Sequence, residues 1–161
     1  PCVFVIENNG YGMGTAIARA AAISDLWQRA ASYGMPGVEV DGQDVVAVRL
    51  VTEEAVARAR EGDGPTLIEA RTFRYVGHSM SDAASGTYRS KEELEASRQR
   101  DPIVLFEEKL RGLGLIADGD IKAIEDEVAA VVADAVQFAD ASPDPDPSEL
   151  TTDVYAPEGG R

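Results

Sequence analysis

Two consecutive asparagines, Asn8 and Asn9, could hold a metal ion at the end of an apolar segment. Residues 2–6 are mostly β-branched or aromatic, which is typical of a strand buried on both faces in a parallel sheet. Three glycines in residues 7–14 predict a loop at the carboxyl end of that strand, where open α/β sheets bind their ligands. The amide oxygens suit Mg²⁺. An ordinary turn is the alternative, because Asn and Gly both tolerate positive φ.

His78 is the only histidine, and it stands in a stretch, residues 76–90, that is rich in Ser, Gly and Ala. This stretch has no hydrophobic period and predicts a long loop, and long loops inside a domain are often functional. A lone histidine is often structural, but a loop position gives it no core to fill. Both roles are therefore open. Tyr88 and Arg89 could bond back to this loop or cover the surface.

The hydrophobic pattern around these loops predicts a parallel α/β sheet, because strands and helices alternate with short connections. The expected elements are a helix beginning at Ser24 and ending at Gly34, a strand at residues 37–40, a helix capped by Asp44 and re-capped at Thr52, and a strand over residues 66–75.

The C-terminal part is predicted to be helical. A helix over residues 91–113 should break where Asp101 precedes Pro102, because a residue before proline is pushed out of helical geometry. Asp120 is expected to cap an amphipathic helix, and an extended tail should follow to Arg161. The organisation is then residues 1–75 as the sheet domain, 76–90 as an active-site loop and 91–161 as a helical region.

The charge balance excludes some functions. Lys and Arg total 15 against 29 Asp and Glu, a formal net charge of −14, which would repel nucleic acid. No apolar run approaches the ~20 residues that span a bilayer, so no membrane partner is expected. The single cysteine, Cys2, is interpreted as a small core residue. The chain opens at Pro1 within an apparent strand, which indicates a piece of a longer polypeptide.

Five segments together resemble the alpha subunits of thiamine-diphosphate-dependent 2-oxoacid dehydrogenases, pyruvate dehydrogenase among them. In chain order they read IENNGYGMGT, VDGQDVVAV, GPTLIEARTFRYVGHSMSD, TYRSKEEL and DPIVLFEEKL. They cover nearly the whole chain in the order of the family. The resemblance implies the C-terminal half of a parallel-sheet thiamine-diphosphate-binding fold, of α/β class, with a helical C-terminal extension.

The resemblance also implies roles for individual residues. Asn9 matches the asparagine that binds Mg²⁺, and Tyr11 matches a tyrosine whose backbone carbonyl binds the same ion. His78 matches the histidine that approaches the cofactor diphosphate and the reacting centre, and is therefore the expected catalytic residue. Ser79 matches the main serine at which the animal enzymes are switched off by phosphorylation.

The chain departs from the family pattern at several points. Residues 83–86 stand where the family often has a shorter Pro-Gly step, and Ala16 replaces a serine that is phosphorylated in many pyruvate enzymes. The GDG half of the cofactor motif, with its metal-binding aspartate, is absent upstream of the asparagines. The tripeptide at Gly62, Asp63 and Gly64 follows them instead and is interpreted as a helix stop, not a metal site.

By resemblance, the full protein catalyses oxidative decarboxylation of pyruvate and transfers the acyl group to a lipoyl arm on a partner acyltransferase. The activating carboxylate belongs to the beta subunit of an α₂β₂ heterotetramer, so this chain alone is expected to be inactive. The expected location is the cytoplasm, or the mitochondrial matrix if the source is eukaryotic.

Two alternatives are open. The substrate could be acetoin or a branched-chain 2-oxoacid, although YGMGT and GHSMSD favour the pyruvate and acetoin types. The chain could also be a non-catalytic α/β module whose helical part binds a partner.

Overall fold

A three-stranded parallel sheet organises the N-terminal part of the chain, with strand order β1-β5-β4. The computed structural model describes residues 1–80 and 89–155. These residues form two compact units, residues 1–113 and, beyond them, 114 to the end of the described chain. The predicted α/β class with a parallel sheet is confirmed.

The first unit contains these elements in chain order: β1 Val3–Asn8, β2 Tyr11–Gly12, β3 Thr15–Ala16, α1 Ile17–Ala20, a 3₁₀ helix Leu26–Tyr33, β4 Gly37–Asp41, α2 Val45–Glu61, β5 Thr66–Arg71, α3 Lys91–Arg98 and α4 Pro102–Gly112. The second unit contains α5 Asp118–Ala141 and a 3₁₀ helix Pro147–Thr151.

Helices cover both faces of the sheet. Alternate strand residues point to one face, where Val40, Ile68 and Ala70 form a buried core with Ala55 of α2. The first 3₁₀ helix contacts β4 and β5. Its approach is close, because a Cβ at Gly37 would collide with the Trp27 carbonyl oxygen. The central strand β5 is consequently buried from Thr66 to Ala70.

The strand β1 lies at an edge, and this corrects one prediction. Its only partner among the described strands is β5, and Phe4 and Val5 are 47% and 59% exposed. The predicted strand is confirmed, but its burial on both faces is wrong for these residues. Cys2 is exposed as well, so its interpretation as a core residue is also wrong here.

The segment after β1 is more regular than the glycines predicted. The strand continues through Glu7 to Asn8, and β2 and β3 then form a small antiparallel hairpin in which Tyr11 pairs with Ala16. A loop over residues 7–14 is therefore too broad a prediction. Only Asn9, Gly10 and the hairpin turn lie outside strands.

Two predicted helices have different details. The helix expected from Ser24 is a 3₁₀ helix that begins at Leu26. The helix after Asp44 is continuous, so the predicted re-cap at Thr52 is wrong. The Thr52 hydroxyl donates to the Val48 carbonyl at 2.7 Å, as a residue inside a helix does.

The predicted strand over residues 66–75 is too long, because β5 ends at Arg71. The break between α3 and α4 at Asp101 is confirmed, and its side chain caps α4. The long-loop prediction for residues 76–90 includes residues 81–88, which lie outside the described residues.

The second unit contains the predicted long helix, with a different start. The helix α5 begins at Asp118, and the Asp120 carboxylate accepts the Ala117 N–H at 2.7 Å from within the first turn. The tail is not fully extended, since Pro147–Thr151 is a 3₁₀ helix. Residues 156–161 lie outside the described residues. Across the described chain, none of the helices has both the length and the apolar character needed to cross a bilayer.

Asp44 gives a pH-dependent stabilisation of α2. Its carboxylate accepts the N–H groups of Val46 and Ala47, and these bonds, with that from Ala47 largest, hold the pKa of Asp44 below its ordinary value of 3.8. A carboxyl pKa lowered by folding contributes stability above the unfolded pKa. That contribution is lost as the pH falls through the folded pKa.

We expect Asp44→Ala to lower the Tm at neutral pH because two helix N–H groups lose their acceptor. The Tm difference from wild type should shrink as the pH falls below 3.8. Thermal unfolding at several pH values measures it, with the exposed Glu54→Ala as control. A difference that does not change with pH would contradict the capping role.

Candidate functional site

The carboxyl ends of the three parallel strands lie side by side. Asn8, Arg71 and Asp41 are in register at the ends of β1, β5 and β4. The Thr72 N–H donates to the Asn8 carbonyl at 3.0 Å, which extends the ladder one step beyond the strands. The loops that follow β1 and β5 therefore begin next to each other, as ligand-binding loops do in open α/β sheets.

The loop after β1 consists of two consecutive side-chain turns. The Asn8 Oδ1 accepts the Gly10 N–H at 2.9 Å, and the Asn9 Oδ1 accepts the Tyr11 N–H at 3.1 Å. Gly10 has φ of 82°, in the left-handed region that favours glycine. Its carbonyl accepts the Ile17 N–H at 2.9 Å, which joins the loop to α1. The turn predicted as one alternative for this loop is thus present.

Glu69 anchors this loop from below. Its side chain is 0% exposed, at the centre of β5. Oε1 accepts the Asn8 Nδ2 at 2.5 Å, and Oε2 accepts the Trp27 N–H at 2.7 Å. The Arg71 guanidinium lies 3.4 Å away. A buried carboxylate is tolerated only with such partners, because its desolvation is costly.

Arg71 neutralises several carboxylates beside this anchor. Its guanidinium pairs with Glu39 at 2.8 Å and with Asp25 at 2.9 Å. The hydrogen bond with Glu39 is the main cause that raises the pKa of Arg71 above its ordinary value. The cation therefore remains charged across the accessible pH range, and it links β5 to β4 and to the start of the 3₁₀ helix.

Arg74 connects the histidine segment to the hairpin. Nη1 lies 3.3 Å from the His78 Nδ1, and Nη2 donates to the Met13 carbonyl at 3.0 Å. Because a guanidinium has donors only, a hydrogen bond between the two groups assigns the acceptor role to Nδ1 of His78, and in a neutral ring it assigns the proton to Nε2. The exposed His78 thus presents an N–H at its outer nitrogen, and the exposed Ser79 follows it directly.

Arg89 connects the start of α3 to both loops. Its side chain is 3% exposed, and its guanidinium lies 4.8 Å from the Tyr11 ring centroid and 4.6 Å from that of Phe73. It donates to the carbonyls of Arg74 and Asn9, the latter at 3.3 Å. Such stacking with an aromatic ring stabilises a cation away from water. Surface cover, one of the two roles left open, is therefore wrong for Arg89; Tyr88 lies outside the described residues.

Two arginines connect the segments that carry the residues expected at the site. Arg74 and Arg89 join the loop that carries Asn9 and Tyr11 to the segment that carries His78 and Ser79. The sequence did not identify Glu69 or Arg74. A signal was present for Glu69, because it is the single acid in the strand that was predicted over residues 66–75 of a parallel sheet.

Possible metal sites are restricted by residue type. Across residues 1–80 and 89–155, no three His, Cys, Asp or Glu side chains are grouped as metal ligands.

The tripeptide at Gly62, Asp63 and Gly64 lies at the end of α2. Gly62 ends α2 in the left-handed conformation, and the Asp63 N–H donates to the Arg58 carbonyl. The interpretation of this tripeptide as a helix stop is therefore supported.

The chain is an α/β protein whose amide, imidazole and guanidinium groups lie in loops at the carboxyl edge of a parallel sheet, where open α/β sheets bind ligands. A family model described as the dehydrogenase E1 component matches residues 1–148, and the chain belongs to this family. Members of the family depend on thiamine diphosphate.

Three curated relatives illustrate the similarity. The pyruvate dehydrogenase E1 component subunit alpha of Rhizobium meliloti (strain 1021) is 46% identical over 155 residues, which are 96% of this chain and 44% of that protein. The mitochondrial subunit alpha of Sminthopsis macroura is 44% identical over 157 residues, 97% of this chain and 42% of that protein. The chloroplastic subunit alpha-3 of Arabidopsis thaliana is 42% identical over 160 residues, which are 99% of this chain and 37% of that protein. The chain spans less than half the length of these relatives.

Proposed function

We propose that the protein to which this chain belongs is the alpha subunit of a thiamine-diphosphate-dependent dehydrogenase that decarboxylates pyruvate oxidatively. The observation that carries this proposal is the connection, through Arg74 and Arg89, of the Asn9 loop to the His78 segment at the carboxyl edge of the sheet. Relatives that match nearly the whole chain are named pyruvate dehydrogenase E1 subunits alpha, which supports pyruvate as the substrate.

Mg²⁺ is proposed to bind at the Asn9 loop. The Asn9 Oδ1 and the Tyr11 carbonyl are hard oxygen ligands of the kind that Mg²⁺ prefers, and Mg²⁺ takes about six ligands, several of them commonly waters and phosphate oxygens. The residues present therefore fit part of the coordination sphere. The other ligands would come from the cofactor diphosphate, water and a part of the protein outside this chain.

Positive charge beside this loop suits an anionic diphosphate. Arg74 and Arg89 donate to loop carbonyls within a chain whose net charge is −14. His78 would direct its Nε2–H, as fixed by Arg74, towards the cofactor diphosphate or the reacting group. When bound, thiamine diphosphate supplies the electron sink for loss of CO₂ from the 2-oxoacid.

The partners proposed are a beta subunit, in an α₂β₂ heterotetramer, and a lipoyl-bearing acyltransferase that accepts the acyl group. The names of the relatives, which call them subunits alpha, support an assembly of several chains. Bacterial and mitochondrial relatives are compatible with a cytoplasmic location, or a mitochondrial matrix location in a eukaryote.

We expect the full-length subunit, reconstituted with its beta subunit, Mg²⁺ and thiamine diphosphate, to turn over pyruvate faster than acetoin or branched-chain 2-oxoacids. Steady-state rates with each substrate measure this. A preference for acetoin or a branched-chain acid would instead identify the protein as the alpha subunit of a dehydrogenase for that substrate. Absence of cofactor binding by the assembly would favour the non-catalytic partner-binding module.

Asn9→Ala is expected to weaken Mg²⁺-dependent cofactor binding by at least about 10–100-fold, because it removes a metal ligand and loss of a mere outer-shell partner already costs that much. Asn9→Asp retains an oxygen ligand and should lose less. Calorimetric titration of the assembled enzyme measures both, with the exposed Gln28→Ala as control. Unchanged affinity in Asn9→Ala would argue against metal binding at this loop.

Ser79→Glu is expected to reduce turnover of the assembled enzyme far more than Ser79→Ala. A carboxylate at the exposed Ser79, or a phosphate carrying roughly −1.5 to −2 charges, would repel the cofactor diphosphate. It would also compete for the Arg74 guanidinium that holds His78. Turnover at saturating cofactor and cofactor affinity are both measured, and Ser32→Glu adds the same charge elsewhere. Near wild-type turnover in Ser79→Glu would place Ser79 away from the chemistry.

A further inference from the structure

Glu69 is a fully buried ionisable side chain, 0% exposed, that the proposed chemistry does not use. We propose that Glu69 is a positioning residue for the metal-binding loop, which selects the orientation of the Asn8 side-chain amide and so holds Asn9 in place. The metal-related part of this inference rests on the proposed function.

The contacts of Glu69 have a fixed polarity. An ionised carboxylate only accepts, and both of its close partners, the Asn8 Nδ2 at 2.5 Å and the Trp27 N–H at 2.7 Å, are donors. With its amide nitrogen directed to Glu69, Asn8 must direct Oδ1 to the other side. There Oδ1 accepts the Gly10 N–H at 2.9 Å.

A flipped Asn8 amide would lose its hydrogen bonds on both sides, with Glu69 and with the Gly10 N–H. Its oxygen would face the Glu69 carboxylate, and its nitrogen would face the Gly10 N–H, so an acceptor would meet an acceptor and a donor would meet a donor. Glu69 therefore selects one of two orientations that have nearly the same shape. The selected orientation is the one that closes the first turn of the loop.

Closure of this turn fixes Asn9. Asn9 stands between Asn8, whose side chain is held by Glu69, and Gly10, whose N–H is held by Asn8. The next N–H, that of Tyr11, is accepted by Asn9 itself at 3.1 Å. Loss of the bond between the Gly10 N–H and Asn8 would leave the peptide unit after Asn9 held at its carbonyl, by Arg89 at 3.3 Å, while the unit before Asn9 would still be held by the Thr72 N–H.

Glu69→Gln has almost the same shape but cannot satisfy both neighbours. If its oxygen faces the Asn8 Nδ2, its NH₂ group meets the Trp27 N–H. If its oxygen faces Trp27, its NH₂ group meets Asn8, which must flip and then opposes the Gly10 N–H. Either arrangement leaves donors facing each other in the sheet interior.

The double variant Glu69→Gln with Asn8→Asp reverses the polarity at one contact only. The introduced glutamine would accept the Trp27 N–H with its oxygen and donate with its NH₂ group to the introduced aspartate carboxylate. The second oxygen of that carboxylate would accept the Gly10 N–H. The contacts with Trp27, position 8 and Gly10 are complementary again. The ion pair of Glu69 with Arg71, at 3.4 Å in wild type, is lost in the double variant as it is in Glu69→Gln, so it does not affect the comparison of these two variants. Asn8→Asp alone would instead put two carboxylates 2.5 Å apart.

The test uses the full-length subunit assembled with its beta subunit, in wild type, both single variants and the double variant. The measurements are calorimetric affinity for thiamine diphosphate with Mg²⁺, kcat at saturating cofactor, Tm, and hydrogen exchange of the Gly10 amide without cofactor. Glu53→Gln on the exposed face of α2 is the matched control.

We expect Glu69→Gln to weaken cofactor affinity about 10–100-fold, as loss of a residue that orients a metal ligand does, and to speed exchange at Gly10. Turnover at saturating cofactor should change less than affinity. The double variant should regain most of the affinity and the Gly10 protection. Glu53→Gln should change neither.

Wild-type affinity in a folded Glu69→Gln protein would overturn the proposal, because Glu69 would then only stabilise the sheet. A double variant that does not fold, or binds no better than Glu69→Gln, would overturn the polarity argument. Failure of wild type to bind the cofactor would instead overturn the proposed function, and exchange at Gly10 would still decide whether Glu69 positions the loop.

Discussion

The need of a buried carboxylate for hydrogen-bond donors is the constraint on which the candidate site depends. Glu69 lies at the centre of the sheet, and its two oxygens accept hydrogen bonds from the end of β1 and from the first turn of the 3₁₀ helix. Neither segment is near it in sequence, with separations of 61 and 42 residues. One side chain thus determines where the loop after β1 begins and where the layer on that face of the sheet lies.

The cations near the site also join distant segments, with separations of 61 residues from Arg74 to Met13 and 80 from Arg89 to Asn9, but they do so in a different manner. Arg71 is surrounded by carboxylates and joins strands, whereas the guanidinium groups of Arg74 and Arg89 donate to backbone carbonyls. The ion pairs of Arg71 therefore hold the strands together, whereas the bonds of Arg74 and Arg89 hold the loops at the edge of the sheet.

Local patterns in the sequence were sufficient for most of the fold and insufficient for the contacts of the site. The strand at Gly37–Asp41, the cap at Asp44 and the break before Pro102 follow from short-range preferences, so they were predictable. The hairpin at β2 and β3 was missed because three glycines hide a two-residue pairing. Burial of β1 was wrong because an apolar run shows that a strand can be covered, not what covers it. Arg74 and Glu69 depend on partners far along the chain, which no local pattern encodes.

The sequence presented a turn and a metal ligand as rival interpretations of Asn9, but the geometry makes them compatible. A carbonyl oxygen of an amide has two lone pairs, and the Tyr11 N–H at 3.1 Å occupies one of them. The second can bind a cation without breaking the turn. The turn would even favour such binding, because it already fixes the Asn9 side chain and so removes part of the entropic cost of ordering it. A residue that is common in turns is therefore also suited to a preorganised metal site, provided that a buried anchor such as Glu69 holds the residue before it.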